Sequence, residues 1–234
     1  MNMNWKREQV MNVCMAAARA SMIACALASA CMIGGCNIVG PVVAVAAGPP
    51  KVEARHTLAN VPTVIFIDDR KNLVSPTNLR RAIADRATQE LMLNELVTTT
   101  INPQDAILIA SRSDKASDLM DIEAVGRAVG AHQVIYVQIT MFAETPDGFT
   151  PVPTAAANVK VIDVTNHQRV FPGNDMADGY PVKHSGAPVD PSLYASRPTR
   201  QKINESLASE LGDQIAKLFY KHEYVDLGER LTPR

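Results

Sequence analysis

Two adjacent carboxylates, Asp68 and Asp69, close the β-branched run "VPTVIFI" at 61–67. Acidic residues at the carboxyl end of a strand stand where open α/β sheets take their ligands. Joined by Asp114 or Asp121, they would offer hard oxygen ligands to a divalent cation, the chemistry of a hydrolase or metal-binding enzyme. The competing reading is a hydrated turn, because consecutive strand side chains diverge and no third ligand is fixed by the spacing. That second reading is favoured, and on it neither Asp68→Asn nor Asp69→Asn would disturb the fold. The other reactive side chains are scattered. His56, His132, His167, His184 and His222 include no pair at metal-ligand spacing. Ser185 follows His184 directly, and neighbours in sequence do not place a hydroxyl on an imidazole as a triad requires. P-loop, G-x-G-x-x-G, G-x-S-x-G and H-E-x-x-H patterns are absent. No catalytic residue, metal site or cofactor is expected.

The totals narrow the choice further. At 47% hydrophobic, 20% charged and a formal charge of -1, the 234 residues can bury one core and carry no basic excess for nucleic acid. With 5% aromatic residues there are few platforms for stacking bases. All four cysteines, Cys14, Cys25, Cys31 and Cys36, precede residue 37. A disulfide framework would spread its cysteines through the folded region, so neither disulfides nor zinc account for them. Lys6, Arg7 and Arg19 make a basic start, and Ala20 to Gly35 is 16 residues without charge. That is a signal-peptide layout, too short for a membrane span of about 20 apolar residues. The alternative is an uncleaved amphipathic anchor.

Ile33-Gly34-Gly35-Cys36 resembles the lipobox of bacterial lipoprotein precursors: an aliphatic residue, two small residues, then cysteine. Ala28-Ser29-Ala30-Cys31 is a weaker match, lacking the large aliphatic side chain. The resemblance implies diacylglyceration of the Cys36 thiol, cleavage before it and acylation of the new amine. Three acyl chains exceed the two signals that stable anchoring needs. The partner of Cys36 would then be the membrane, reached from the periplasmic side. Asn37 in the following position implies sorting to the outer membrane. Removing the leader takes away Lys6, Arg7, Glu8 and Arg19 and leaves a more acidic chain.

The domain division expected is a leader at 1–35, a lipidated tether at 36–60, one domain at 61–222 and a tail at 223–234. The tether mixes Pro, Gly and small apolar residues without periodicity, although its Val and Ala could pack on the domain. After the 61–67 strand, Ser75-Pro76 offers a cap and a first helical proline, and Leu79, Ile83, Ala87 and Leu91 recur at i+4 over a helix at 76–97. "AILIA" (106–110), after Asn102-Pro103, reads as a short strand. A second helix is predicted at 119–129, stopped by Gly130. "QVIYVQITMF" (133–142) is the clearest strand, and 158–164 with 169–171 forms a hairpin. Residues 172–198 read as a long loop with one edge strand near 179–183, before a helix at 199–220. The fold class expected is therefore an α/β (α+β) sandwich, a small mixed sheet with about three helices mainly on one face.

The element order and three segments, "VPTVIFIDDRKN", "IEAVGRAVGAHQVIYVQIT" and "VKVIDVTNHQRVF", resemble the periplasmic domains grouped around the TolB amino-terminal domain, CsgG, LpoB and PelC. The resemblance spans about 60–222 and implies a non-enzymatic adaptor or assembly part of an envelope machine. It implies envelope protein partners, self-association as an option, and no nucleic acid. CsgG forms a pore from long transmembrane hairpins, and the loops of this sequence hold no alternating hairpin of that length, so pore formation is not expected. PelC-like proteins contact the membrane through an aromatic residue, but the single Trp here is Trp5, in the leader. Activation of a cell-wall synthase, as by LpoB, stays open. Residues 175–200 read as a passive surface loop, the favoured reading, or as the contact for a partner or a neighbouring copy, with Tyr180 and Tyr194 as candidate anchors. Asp68 and Asp69 are further candidate partner-binding residues.

Overall fold

The computed structural model describes residues 50–113 and 121–224. The leader, Cys36, residues 37–49, Asp114, the first residues of the helix predicted at 119–129 and the tail beyond 224 lie outside the described residues. The chain divides into two compact units, Val52–His222 and a second drawn from Met1–Lys51 and Glu223–Arg234. Of the second unit only four residues are described, and in it the Tyr224 N–H donates to the Pro50 carbonyl at 2.7 Å.

In the larger unit the strands are β1 (Thr63–Asp68), β2 (Thr100–Ile101), β3 (Gln133–Ala143), β4 (Thr154–Asp163), β5 (Gln168–Phe171) and β6 (Tyr180–Ser185). The helices are α1 (Asn78–Leu93), α2 (Pro103–Ser113), α3 (Ile122–Ala128), α4 (Pro191–Tyr194) and α5 (Arg197–Ala216). One mixed sheet runs β2-β1-β3-β4-β5, and β6 also pairs with β4. β1 is parallel to both β2 and β3, with Thr63 opposite Thr100 and Gln133. From β3 onward every pairing is antiparallel. The expected α+β sandwich with a mixed sheet is the fold that this chain adopts. Five helices are described where about three were expected, and they lie on both faces of the sheet instead of mainly on one.

The helices are distributed by the crossovers. The chain leaves β1 for β2 on one side, then returns past β1 to β3 on the other. Right-handed crossovers in opposite directions put their helices on opposite faces. Ile65, Ile67, Ile135 and Val137 accordingly pack with Leu79 and Ile83 of α1 and Leu211 and Ile215 of α5. Val64, Phe66, Val134 and Tyr136 pack with Ala106 and Ala110 of α2 and Val125 of α3. Both faces of β1 are buried, which is why its sequence is continuously apolar instead of alternating.

The expected strand at 106–110 is instead the middle of α2. The Asn102 side chain accepts from the Gln104 N–H at 3.0 Å, Pro103 takes the first helical position and Asp105 sits in the first turn. A short apolar run does not distinguish helix from strand, and here the cap decides. α1 starts at Asn78 behind Thr77, two residues later than Ser75-Pro76 suggested, and ends at Leu93. α5 starts two residues before Thr199, behind Ser196. The edge strand expected near 179–183 is β6, and the 172–198 connection also carries the short helix α4, which was not expected. Arg169 draws the connection together, donating to the Ala177 carbonyl at 3.0 Å. Inside the span expected as tether, the Arg55 and His56 N–H groups donate to the Leu218 carbonyl at 2.7 and 3.3 Å, and Leu58 is buried. That stretch packs on the domain because its apolar residue finds core.

Candidate functional site

β1 is the point where strand order reverses, so its carboxyl end is where this sheet architecture would place a ligand. Asp68 and Asp69 are there, but both are 6% exposed and neither is hydrated as the sequence suggested. Asp69 Oδ1 accepts from the Leu73 N–H at 2.8 Å, and Oδ2 accepts from the Val74 N–H at 2.9 Å. The carboxylate therefore ties the turn after β1 back onto the strand. Arg80 Nε of α1 lies 2.9 Å from Asp69 Oδ2, near enough to pair charge although the N–H is not aligned for a hydrogen bond. Arg80 also donates through Nη2 to Asn72 Oδ1 at 2.9 Å.

Asp68 points the other way. Its Oδ2 accepts from the Tyr136 hydroxyl of β3 and lies 2.9 Å from Arg70 Nε. Burial, then the hydrogen bond and the negative charge of Asp68, push the Tyr136 phenol well above its ordinary range. Tyr136 is thereby a fixed donor and not a proton-transfer group near neutrality. The divergence of the two carboxylates was legible in the sequence. Their burial was not, because it depends on Arg80, Arg70 and Tyr136, and no local spacing announces those partners. Both carboxylates are engaged within the fold and have little exposed surface. Among the described residues no three His, Cys, Asp or Glu side chains come together as a metal set.

The two tyrosines separate. Tyr180, on β6, packs on Phe171 with ring centroids 5.4 Å apart and is partly buried against the core. It is an internal contact. Tyr194 ends α4, where burial and the nearby Glu144 raise its phenol above the usual value. Its hydroxyl is buried without a hydrogen-bond partner among the described residues. Next to it Leu193 is 53% exposed.

Two features had no sequence reading. Phe149 is 91% exposed at the turn between β3 and β4. Asp147 Oδ1 holds that turn by accepting from the Phe149 and Thr150 N–H groups at 2.9 and 2.8 Å, and Gly148 supplies φ +77°. The Asp147-Gly148 dipeptide is the signal that could have located the turn. The second is an aromatic slot for His56, whose ring stacks on Phe171 at 5.2 Å and meets the edge of Phe219 at 6.5 Å.

Burial lowers the His56 pKa from 6.5, so the unfolded chain takes up a proton more readily than the folded one. The contribution of this residue to stability is complete above that value and is lost as pH falls below it. Melting of the full chain at pH 7.5 and 5.5 should show the native protein losing more stability on acidification than a His56→Phe variant. Equal losses in the two proteins would mean that another group carries the pH dependence.

No family model and no curated protein sequence matches the chain. Solved structures do resemble it. A PelC dodecamer from Paraburkholderia phytofirmans is 13% identical with a TM-score of 0.38, the match covering 73% of this chain and 93% of that one. A lipoprotein from Neisseria meningitidis is 16% identical with a TM-score of 0.33, covering 62% and 95%. The LpoB C-terminal domain from Escherichia coli is 14% identical with a TM-score of 0.31, covering 55% and 85%.

Proposed function

We propose that this chain is a lipid-anchored module of the bacterial cell envelope, facing the periplasm, that works by binding and assembly without catalysis. The observation that carries the reading is Ile33-Gly34-Gly35-Cys36, placed directly after an uncharged stretch with a basic start. The site geometry supports the non-catalytic part. The two carboxylates at the switch point of the sheet are occupied with the turn amides of Leu73 and Val74, with Arg80, Arg70 and Tyr136, and so hold structure together. Asn37 makes the outer membrane the proposed destination. Partner contact falls to groups that the fold leaves outside, with Leu193 beside Tyr194 and Phe149 on its turn the leading surfaces, and a second copy of the chain is among the partners to be sought.

The test is metabolic labelling with a palmitate analogue in intact cells, read together with the mass of the mature amino terminus. The native chain should carry label and begin at Cys36. Cys36→Ala should lose the label and remain uncleaved at this position. An unacylated mature native protein would overturn the proposal. Label persisting in the variant would move the attachment to Cys31. Crosslinking in the same cells, followed by identification of what is captured, names the partner.

A further inference from the structure

A hollow of about 210 Å³ lies between residues 52–55, the strand β6 and the end of α5. Its polar lining is Glu53, Arg55, Lys183, Gln214, Lys217 and His222. Two of these charges are already matched. Glu53 pairs with Lys221 at 2.5 Å, and Lys217 with Asp213 at 2.6 Å. Arg55 and Lys183 have no ion-pair partner among the described residues, so the lining carries uncompensated positive charge from two directions. The Arg55 backbone is anchored by its N–H, which donates to the Leu218 carbonyl at 2.7 Å, and by the neighbouring His56 ring in its aromatic slot, while its side chain is exposed. His222 Nδ1 lies 3.1 Å from the Tyr220 carbonyl oxygen, which makes Nδ1 the donor there. Its other ring nitrogen is left to accept from an acid hydroxyl or, in the imidazolium, to donate.

We propose that this hollow binds a phosphate group. Arg55, Lys183 and His222 line one hollow with the Gln214 amide as a further donor, and the Glu53 carboxylate on the same lining is paired with Lys221. That set offers more donors than the two oxygens of a carboxylate can use, and suits the several oxygens of a phosphate.

The test is calorimetric titration of the full chain in neutral detergent at low ionic strength. The probes are inorganic phosphate and glycerophosphoglycerol, the soluble headgroup of phosphatidylglycerol. Saturable binding of at least one probe is expected. Arg55→Gln with Lys183→Gln should weaken it at least tenfold, and Lys183→Glu alone should do the same without shifting the melting temperature. Lys202→Gln, an exposed lysine elsewhere on α5, should change it less than twofold. Preference for inorganic phosphate would assign a free phosphate ligand, and preference for the diester a lipid headgroup. Absence of saturable binding for both probes, or an equal loss in the Lys202 variant, would overturn the site.

Discussion

Gly212→Val is expected to be among the most destabilising single changes in the chain. A Cβ at Gly212 would stand 2.5 Å from the Ile83 carbonyl oxygen, 3.0 Å from the Arg86 Cβ and 3.2 Å from the Ala87 nitrogen. Two of those three atoms are helix backbone, which cannot rotate aside as a side chain can. α5 would have to lift from α1, loosening Leu207, Leu211 and Ile215 from the same interface. Overpacking costs about 1–3 kcal/mol, and contact with backbone puts this case at the upper end. In a domain of this size that lowers the melting temperature by roughly 10 °C. A thermal melt of the full chain followed by circular dichroism measures it. A fall smaller than about 3 °C, under 1 kcal/mol by the same conversion, would show that α5 does not seat on α1 as described.

The second large effect is Asp69→Asn. The carboxylate has no exposed side-chain surface, accepts two backbone N–H groups and sits 2.9 Å from Arg80, whose side chain is only 20% exposed. The amide keeps one acceptor, turns an NH₂ toward one of the two donors and leaves the guanidinium without its counter-charge. Removing one partner of such a buried pair costs about 3–5 kcal/mol. Asp68→Asn should be milder, about 1 kcal/mol, since the Tyr136 hydroxyl can donate to the amide oxygen and Arg70 is 45% exposed. Denaturant titration of both variants checks the order. An Asp69→Asn chain as stable as the native one would restore the hydrated-turn reading.

The gap between that reading and the structure shows what a sequence carries. β1 and β3 were legible because a strand buried on both faces must be continuously apolar, and "VPTVIFI" and "QVIYV" are. The stripe of α1 was legible because Leu79, Ile83, Ala87 and Leu91 keep helical period, and all four are buried. α2 was misread for a local reason. Ala106 and Ala110 are too small to mark a face, so the run alone fits a strand, and the cap formed by Asn102 and Pro103 makes it a helix. The burial of Asp69 was not legible at all. It depends on Arg80 arriving from the next helix, and on a turn that closes only after β1 is placed. The stacking of His56 on Phe171 likewise joins segments far apart in sequence, which no window along the chain can see.

The sheet topology bears on how the molecule assembles. Thr63 on β1 faces Gln133 on β3 across 70 residues of chain, whereas Ala143 faces Thr154 and Asp163 faces Gln168 within short hairpins. Closing the longer loop costs more entropy, and pairings that close late set the pace of folding. The antiparallel half can therefore form while residues 63–68 are still unpaired. In that state one edge of β3, carrying Val134, Ile135 and Val137, lies open to any passing strand. Docking of β1 closes that edge, so its stability also guards against aggregation.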